Sequence, residues 1–161
     1  MTSITVIGPC YNEFDNIDEF ISRITSILEK LNLEYEVLLI DDGSKDNSWQ
    51  KILEHSKKNN KVHGIKFTRN FGHQSAIMAG INFANSDYVF FSDIDLQDPP
   101  ELLEQMYQKI TKNNLNVVFA KRVQNNENFL KKYSSILFQY FLMVNFSNIF
   151  HASSYKLIQY S

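Results

Sequence analysis

The chain has 161 residues, 43% of them hydrophobic and 21% charged, enough for one domain with a buried core and unlike a disordered polymer. Sixteen basic against eighteen acidic side chains leave a formal charge of −2, so no net field favours general nucleic-acid binding. The single cysteine, Cys10, excludes an internal disulfide and fits a reducing compartment.

Met1 is followed by Thr2 and Ser3 with no basic n-region, so no secretory signal is expected. Ile4-Thr5-Val6-Ile7 is short and β-rich, and Gly8-Pro9 after it reads as a turn. Ile17, Phe20, Ile21, Ile24, Ile27, Leu28 and Leu31 recur at helical spacing. Tyr35 to Ile40 reads as a buried strand stopped by Asp41-Asp42-Gly43-Ser44. Asp46 or Asn47 can cap the next helix, which carries Trp49, Ile52 and Leu53 and fades from Ser56 to Lys61. Val62 to Phe67 predicts a third strand. A helix from about Gln74 to Ala84 follows, where Gly80 would permit close approach to the sheet. Tyr88 to Phe91 is a fourth strand. Asp98-Pro99-Pro100-Glu101 predicts an N-cap with prolines in the first turn of a helix reaching about Lys112. Val117 to Ala120 is a fifth strand. Such alternation implies a parallel sheet with helices on both faces, in a single α/β domain. The longest apolar stretch, Ile136 to Phe150, is broken by Gln139, Asn145, Ser147 and Asn148, so no membrane span is expected.

Ligands of open α/β sheets bind beyond the carboxyl ends of the strands. The chemically unusual residues fall there: Pro9-Cys10-Tyr11-Asn12-Glu13, Asp41-Asp42-Gly43-Ser44, and Asp93-Ile94-Asp95-Leu96-Gln97-Asp98. Carboxylates converging on one rim repel unless a cation or donor groups compensate. A divalent metal bridging a diphosphate accounts for them economically. Several of these residues have simpler readings. Asp98 and Asp46 suit helix caps, Asp42-Gly43 is a common turn, and Tyr11 could cover the sheet edge. Asp93 and Asp95, directly after an apolar strand, are harder to dismiss. His73 could cap its helix or face the pocket. Neither a Walker-type loop, nor a dinucleotide fingerprint, nor zinc-ligand spacing occurs.

In this order, with Arg69-Asn70-Phe71-Gly72 between the second and third blocks, these motifs resemble those of family 2 glycosyltransferases. The Asp95-Leu96-Gln97-Asp98-Pro99-Pro100-Glu101 run is most similar to the dolichyl- and polyprenyl-phosphate sugar transferases, including bactoprenol glucosyltransferases. The resemblance covers roughly Ile4 to Arg122. It implies a nucleotide-diphospho-sugar transferase (GT-A, Rossmann-like) fold with a mostly parallel sheet. Residues 1–122 would bind the nucleotide sugar, and 123–161 would supply a partial acceptor-side helix and tail of the same domain. By the same resemblance Pro9, Tyr11, Glu13, Ile40 and Asp42 would line the base and ribose. Asp93 would sit by the ribose and diphosphate, Asp95 and Gln97 would hold Mg²⁺ or Mn²⁺, and Arg122 would contact the donor phosphates. Asp93 and Asp95 would form the catalytic pair.

The resemblance further implies a UDP- or GDP-sugar donor, a polyprenyl-phosphate acceptor and a place at the cytoplasmic face of the membrane. Nucleic acid is not an expected partner, and self-association is left open. Phe129 to Phe150, with Lys131 and Lys132, reads as an acceptor helix, its rival being a helix lying on a membrane surface. Ser153 to Ile158 resembles a later family segment, with Ser154 where an aspartate often stands. The chain ends before the interfacial helices and membrane spans of many relatives, so a C-terminally shortened form is expected. A transferase acting on a surface polysaccharide and a non-catalytic nucleotide-sugar-binding module are the alternatives.

Overall fold

Each strand and helix expected between Ile4 and Ala120 forms, and every strand pairing among the described residues is parallel. The computed structural model describes residues 2–120 and 156–160. The expected acceptor helix, Arg122 and Ser154 lie outside these residues. Along the chain run β1 (Ser3–Cys10), α1 (Ile17–Lys30), β2 (Glu34–Asp41), α2 (Ser48–Lys58) and β3 (Val62–Lys66). They are followed by α3 (His73–Phe83), β4 (Tyr88–Phe91), α4 (Leu102–Lys112), β5 (Val117–Ala120) and β6 (Lys156–Tyr160). The sheet order is β3-β2-β1-β4-β6-β5.

Side-chain alternation along β1 sorts the two helical layers. Ile4, Val6 and Cys10 join Val37 and Leu39 of β2 in a core closed by Phe20, Ile24 and Leu28 of α1, Ile52 of α2 and Leu103 and Ile110 of α4. Ile7 points the other way, onto α3. There a Cβ on Gly80 would lie 2.4 Å from the Ile7 Cγ2, so the expected close approach is real. Helices α1 and α4 each end with an asparagine in the left-handed region, Asn32 and Asn114. Leu33 N–H bonds the Leu28 carbonyl and Leu115 N–H bonds the Ile110 carbonyl, which gives both ends the bonding pattern of a Schellman motif. Across the surface Arg23 of α1 pairs with Glu101, and Lys30 pairs with Glu104 of α4.

Three features depart from the sequence expectation. Gly8 and Pro9 do not turn but continue β1, paired with Leu39 and Ile40. Ile7 O accepts from Ser92 N on the β4 side, and Cys10 O accepts from Asp42 N on the β2 side. Pro9, with its missing N–H, therefore faces past the end of β4, where no ladder bond is lost. The helix expected to be capped by Asp98 starts later: Glu101 stands at the N-cap of α4 without a side-chain cap bond. Its carboxylate is engaged by Arg23 instead, and Leu102 and Leu103 N–H groups bond the Pro99 and Pro100 carbonyls in a preceding turn. The third departure is β6, which inserts Lys156–Tyr160 between β4 and β5.

Candidate functional site

From β1 the chain steps outward to β2 and β3, then returns to place β4 on the other side of β1. That reversal opens a crevice at the carboxyl ends of β1 and β4, the place where such sheets bind ligands. A cavity of about 340 Å³ lies there, walled by Pro9, Tyr11 and Glu13 on one side and Asp93 and Asp95 on the other. Asp42, Asn70, Gly72, His73 and Ala76 complete much of its lining.

The loop after β1 is sewn to the loop after β2 by side chains. Asn12 N–H donates to Ser44 Oγ at 2.9 Å, and Lys45 N–H donates to Asn12 Oδ1 at 2.8 Å. Glu13 N–H donates to Ser48 Oγ at 2.9 Å, and Phe14 N–H reaches Asp46 Oδ2 at 3.3 Å. Asn12 sits at φ 57°, a left-handed conformation that asparagine tolerates better than most residues. Asp46 Oδ1 also takes the Ser48 N–H at 2.9 Å, although Asn47, one residue later, holds the N-cap position of α2 and makes no side-chain cap bond.

Adjacent aspartates at the end of β2 serve opposite sides. Asp41 is fully buried, and its Oδ1 accepts the Ser44 N–H at 2.9 Å. Asp42, 3% exposed, accepts the Phe71 N–H at 2.7 Å and the Gly72 N–H at 2.9 Å. The 69–72 loop is further braced by Arg69 over the Phe71 ring at 4.1 Å and by Ser75 Oγ donating to the Phe71 carbonyl at 2.9 Å. Gly72, at φ 95°, then turns the chain into α3. Burial and then the charge of Asp41 push the Cys10 thiol up to about 12, so this buried sulfur stays protonated and is no nucleophile.

On the β4 side, Ile94 and Asp95 form a turn directly after Asp93. Ile94 is 1% exposed and anchors the turn in the core, while Asp93 and Asp95 line the cavity. Asp95 Oδ1 accepts the Gln97 N–H at 3.0 Å, with Leu96 between them at φ 57°. His73 Nε2 lies 3.7 Å from Asp93 Oδ1, which places this histidine at the cavity as well as at the start of α3.

The structure thus gathers Pro9, Tyr11, Glu13, Asp42, Asp93 and Asp95 around one cavity. Ile40 is fully buried inside β2, and Gln97 is exposed on the loop beyond; neither belongs to the lining. The sequence reading missed Asn70, Gly72 and Ala76 as wall residues, and Ser44 and Ser48 as loop ties. A signal existed for the first two, since Arg69-Asn70-Phe71-Gly72 stood out as a motif without an assigned contact.

No group of three or more His, Cys, Asp or Glu able to hold a metal occurs among the described residues. Two hard-oxygen side chains at the cavity rim, Asp93 and Asp95, nevertheless fit Mg²⁺ or Mn²⁺. These ions need only one or two carboxylates when phosphate and water complete the shell. No helix among the described residues is long and apolar enough to cross a membrane.

Residues 5–159 match the family model described as glycosyl transferase family 2. An uncharacterized glycosyltransferase of Bacillus subtilis, YkcC, is 40% identical over 135 residues, which cover 83% of this chain and 42% of the relative. Another from Synechocystis, sll0501, is 32% identical over 136 residues, covering 84% and 42%. The chain therefore spans about two fifths of the length of these relatives. Among solved structures, the mannosyltransferase PcManGT from Pyrobaculum calidifontis, in complex with GDP-Man and Mn²⁺, aligns with a TM-score of 0.60 at 22% identity, over 74% of this chain and 35% of its own. S. aureus TarS 1-349 in complex with UDP-GlcNAc aligns with a TM-score of 0.54 at 24% identity, over 80% and 36%. These likenesses establish the expected GT-A fold.

Proposed function

Because the chain belongs to glycosyl transferase family 2, we propose that its cavity holds the nucleoside diphosphate of a sugar donor and that the protein transfers that sugar, with inversion, to a polyprenyl phosphate. The observation that carries this reading is the convergence of Pro9, Tyr11 and Glu13 with Asp93 and Asp95 on one cavity at the strand-order reversal. Pro9, Tyr11, Glu13 and Asp42 would line the base and ribose. Asp93 would meet the ribose and diphosphate and, with Asp95, would hold Mg²⁺ or Mn²⁺, whereas Gln97, named with Asp95 for the ion by the sequence resemblance, lies outside the lining. GDP-Man with Mn²⁺ in PcManGT and UDP-GlcNAc in TarS support a nucleotide sugar of either base.

When bound, the cation offsets the negative charge that builds up on the departing nucleoside diphosphate. The chain's own groups would orient the donor so that an acceptor oxygen can attack the anomeric carbon in line, opposite the leaving group. A lipid phosphate is already ionised at neutral pH, so its attack needs no strong base. Residues 1–122 would carry the donor, with Arg122 on its phosphates, and 123–161 would contribute the acceptor side at the inner face of the membrane. The acceptor class rests on the resemblance of the Asp95 to Glu101 run to lipid-phosphate enzymes.

Radiolabelled UDP- and GDP-sugars offered with polyprenyl phosphate in detergent micelles test the reading, and label should pass to the lipid in the presence of Mn²⁺. Absence of transfer from every common nucleotide sugar would reject it. Labelling of a soluble saccharide but not of the lipid would replace the acceptor with a polysaccharide.

A further inference from the structure

We propose that Asn16 is a positioning residue for the donor: its side-chain amide holds the Glu13 carboxylate by Oε2 and leaves Oε1 to meet an N–H or O–H of the nucleoside. The inference rests on the reading of the cavity as a nucleoside diphosphate site, where Glu13 stands in the lining. Asparagine is a favoured helix cap, and Asn16 holds the N-cap position of α1, yet its side chain makes no cap bond. Its Nδ2 instead donates to Glu13 Oε2 at 2.7 Å, and its main-chain N–H donates to the Glu13 carbonyl at 3.0 Å.

Glu13 is fixed from the other side as well, because its own N–H donates to Ser48 Oγ at 2.9 Å and Ser48 is fully buried. Main-chain N–H, carbonyl and carboxylate are thus each engaged, in a residue whose side chain would otherwise sample many rotamers. No hydrogen bond reaches Oε1 among the described residues. An ionised carboxylate only accepts hydrogen bonds, and uracil, guanine and ribose each offer donors to it. Holding the acceptor in place before the ligand arrives spares the entropy of ordering it on binding.

Asn16→Ala, Asn16→Asp and the double variant Glu13→Gln with Asn16→Asp test this in the full chain. Calorimetric titration with UDP and GDP in Mn²⁺ gives affinity, and urea unfolding gives stability. Alanine removes the donor. Aspartate removes it and sets a like charge against Glu13, but remains a favoured residue at a helix N-terminus. Affinity for UDP, GDP or both should fall about tenfold in each single variant, while the urea midpoint stays close to the parent's. In the double variant the new glutamine amide can donate to the new carboxylate and still present a carbonyl oxygen to the cavity. Affinity should then recover about threefold or more over Asn16→Asp alone. Parental affinity in both single variants would overturn the proposal. So would a parallel loss of affinity and stability that the double variant does not reverse, since that marks a purely structural role. In the nucleotide-free chain, the Asn16 side-chain amide protons followed by NMR should exchange about tenfold faster after Glu13→Ala, and unchanged exchange would show that Asn16 does not hold Glu13. Should neither nucleotide bind the parent, the donor reading fails, while the amide exchange still decides whether the two side chains are tied.

Discussion

Replacing Asp95 separates the turn bond that its carboxylate makes from the cation contact proposed for it. Its Oδ1 closes the turn by accepting the Gln97 N–H at 3.0 Å, with Leu96 at φ 57° inside the turn. Asp95→Ala removes that bond at a half-buried position, a loss of about 1 kcal/mol, or about 2–4 °C in Tm for a chain of this size. Asp95→Asn leaves a carbonyl oxygen for the same N–H and should melt close to the parent. The cation responds differently, because both substitutions delete the charge. Unit charges about 4 Å apart interact by about 4 kcal/mol at an effective dielectric of 20, and solvent at the rim removes much of this. A tenfold loss in the metal-dependent part of nucleotide affinity, about 1.4 kcal/mol, is a lower bound. Calorimetric titration with UDP and GDP, with and without Mn²⁺, gives the ratio of the two Kd values. That ratio should exceed about ten in the parent and fall to about one in both variants. If Asp95→Asn keeps the parent's ratio, Asp95 does not hold the cation and the reasoning from the rim carboxylates is wrong.

Cys10 is 2% exposed with its thiol pushed up to about 12, so iodoacetamide should leave the folded protein unlabelled at neutral pH and label it fully in urea; rapid native labelling would contradict its burial. Gly80→Ala gains about 1 kcal/mol of helix propensity but forces a methyl to 2.4 Å from the buried Ile7 Cγ2, an overpacking cost of about 1–3 kcal/mol. A net loss of about 1 kcal/mol should appear in urea unfolding, and a gain would show that α3 can move off the sheet. Asp18 is held below the ordinary carboxylate range by its hydrogen bond from Lys51 and then by that from His55. As pH falls, the unfolded chain takes up the Asp18 proton before the folded one does. Its stabilisation is therefore complete above the ordinary carboxylate range and lost as pH falls through the lowered folded value. The difference in unfolding free energy from urea titration between the parent and Asp18→Asn should be small at neutral pH, below about 1 kcal/mol at this exposed site, and close in acid.

The layered α/β architecture was legible because it rests on periodicity, which survives without tertiary information. Tyr88–Phe91 and Val117–Ala120 have the bounds their apolar runs suggested, and Ile17, Phe20, Ile21, Ile24, Ile27 and Leu28 form the buried face of α1. The misreadings came where local chemistry is decided by a distant partner. Gly8-Pro9 has the composition of a turn, but Pro9 sits where β1 outruns β4 and the absent N–H costs no ladder bond. Asp98 has the spacing of a cap, yet regular helix begins nearer Glu101, whose carboxylate meets Arg23 of α1. The five-residue strand Lys156–Tyr160 carries no clear two-residue alternation, and only its neighbours β4 and β5 define it. At the site, carboxylates at strand ends were visible from sequence, while the wall contributed by Asn70, Gly72 and Ala76 depends on how α3 packs.

Strand geometry also narrows the charge problem that the sequence poses. Four aspartates near one sheet edge suggested a shared cation, but successive side chains at the end of β2 face opposite layers. Asp41 turns toward the α1 and α2 layer and takes the Ser44 N–H; Asp42 turns toward α3 and takes those of Phe71 and Gly72. Main-chain N–H groups thus compensate both oxygens of Asp42 and one of Asp41, whose Oδ2 is buried without a hydrogen-bond partner among the described residues. One dipeptide thereby ties down the loop carrying Tyr11, through Ser44 and Asn12, and the loop that opens α3. What remains for a cation is the pair from the other side of the strand-order reversal, Asp93 at 54% side-chain exposure and the half-buried Asp95. Two carboxylates cannot complete the shell of a divalent ion alone, so on the proposed reading water and the oxygens of the diphosphate would supply the rest. Metal and nucleotide are then expected to bind cooperatively, each weakly without the other.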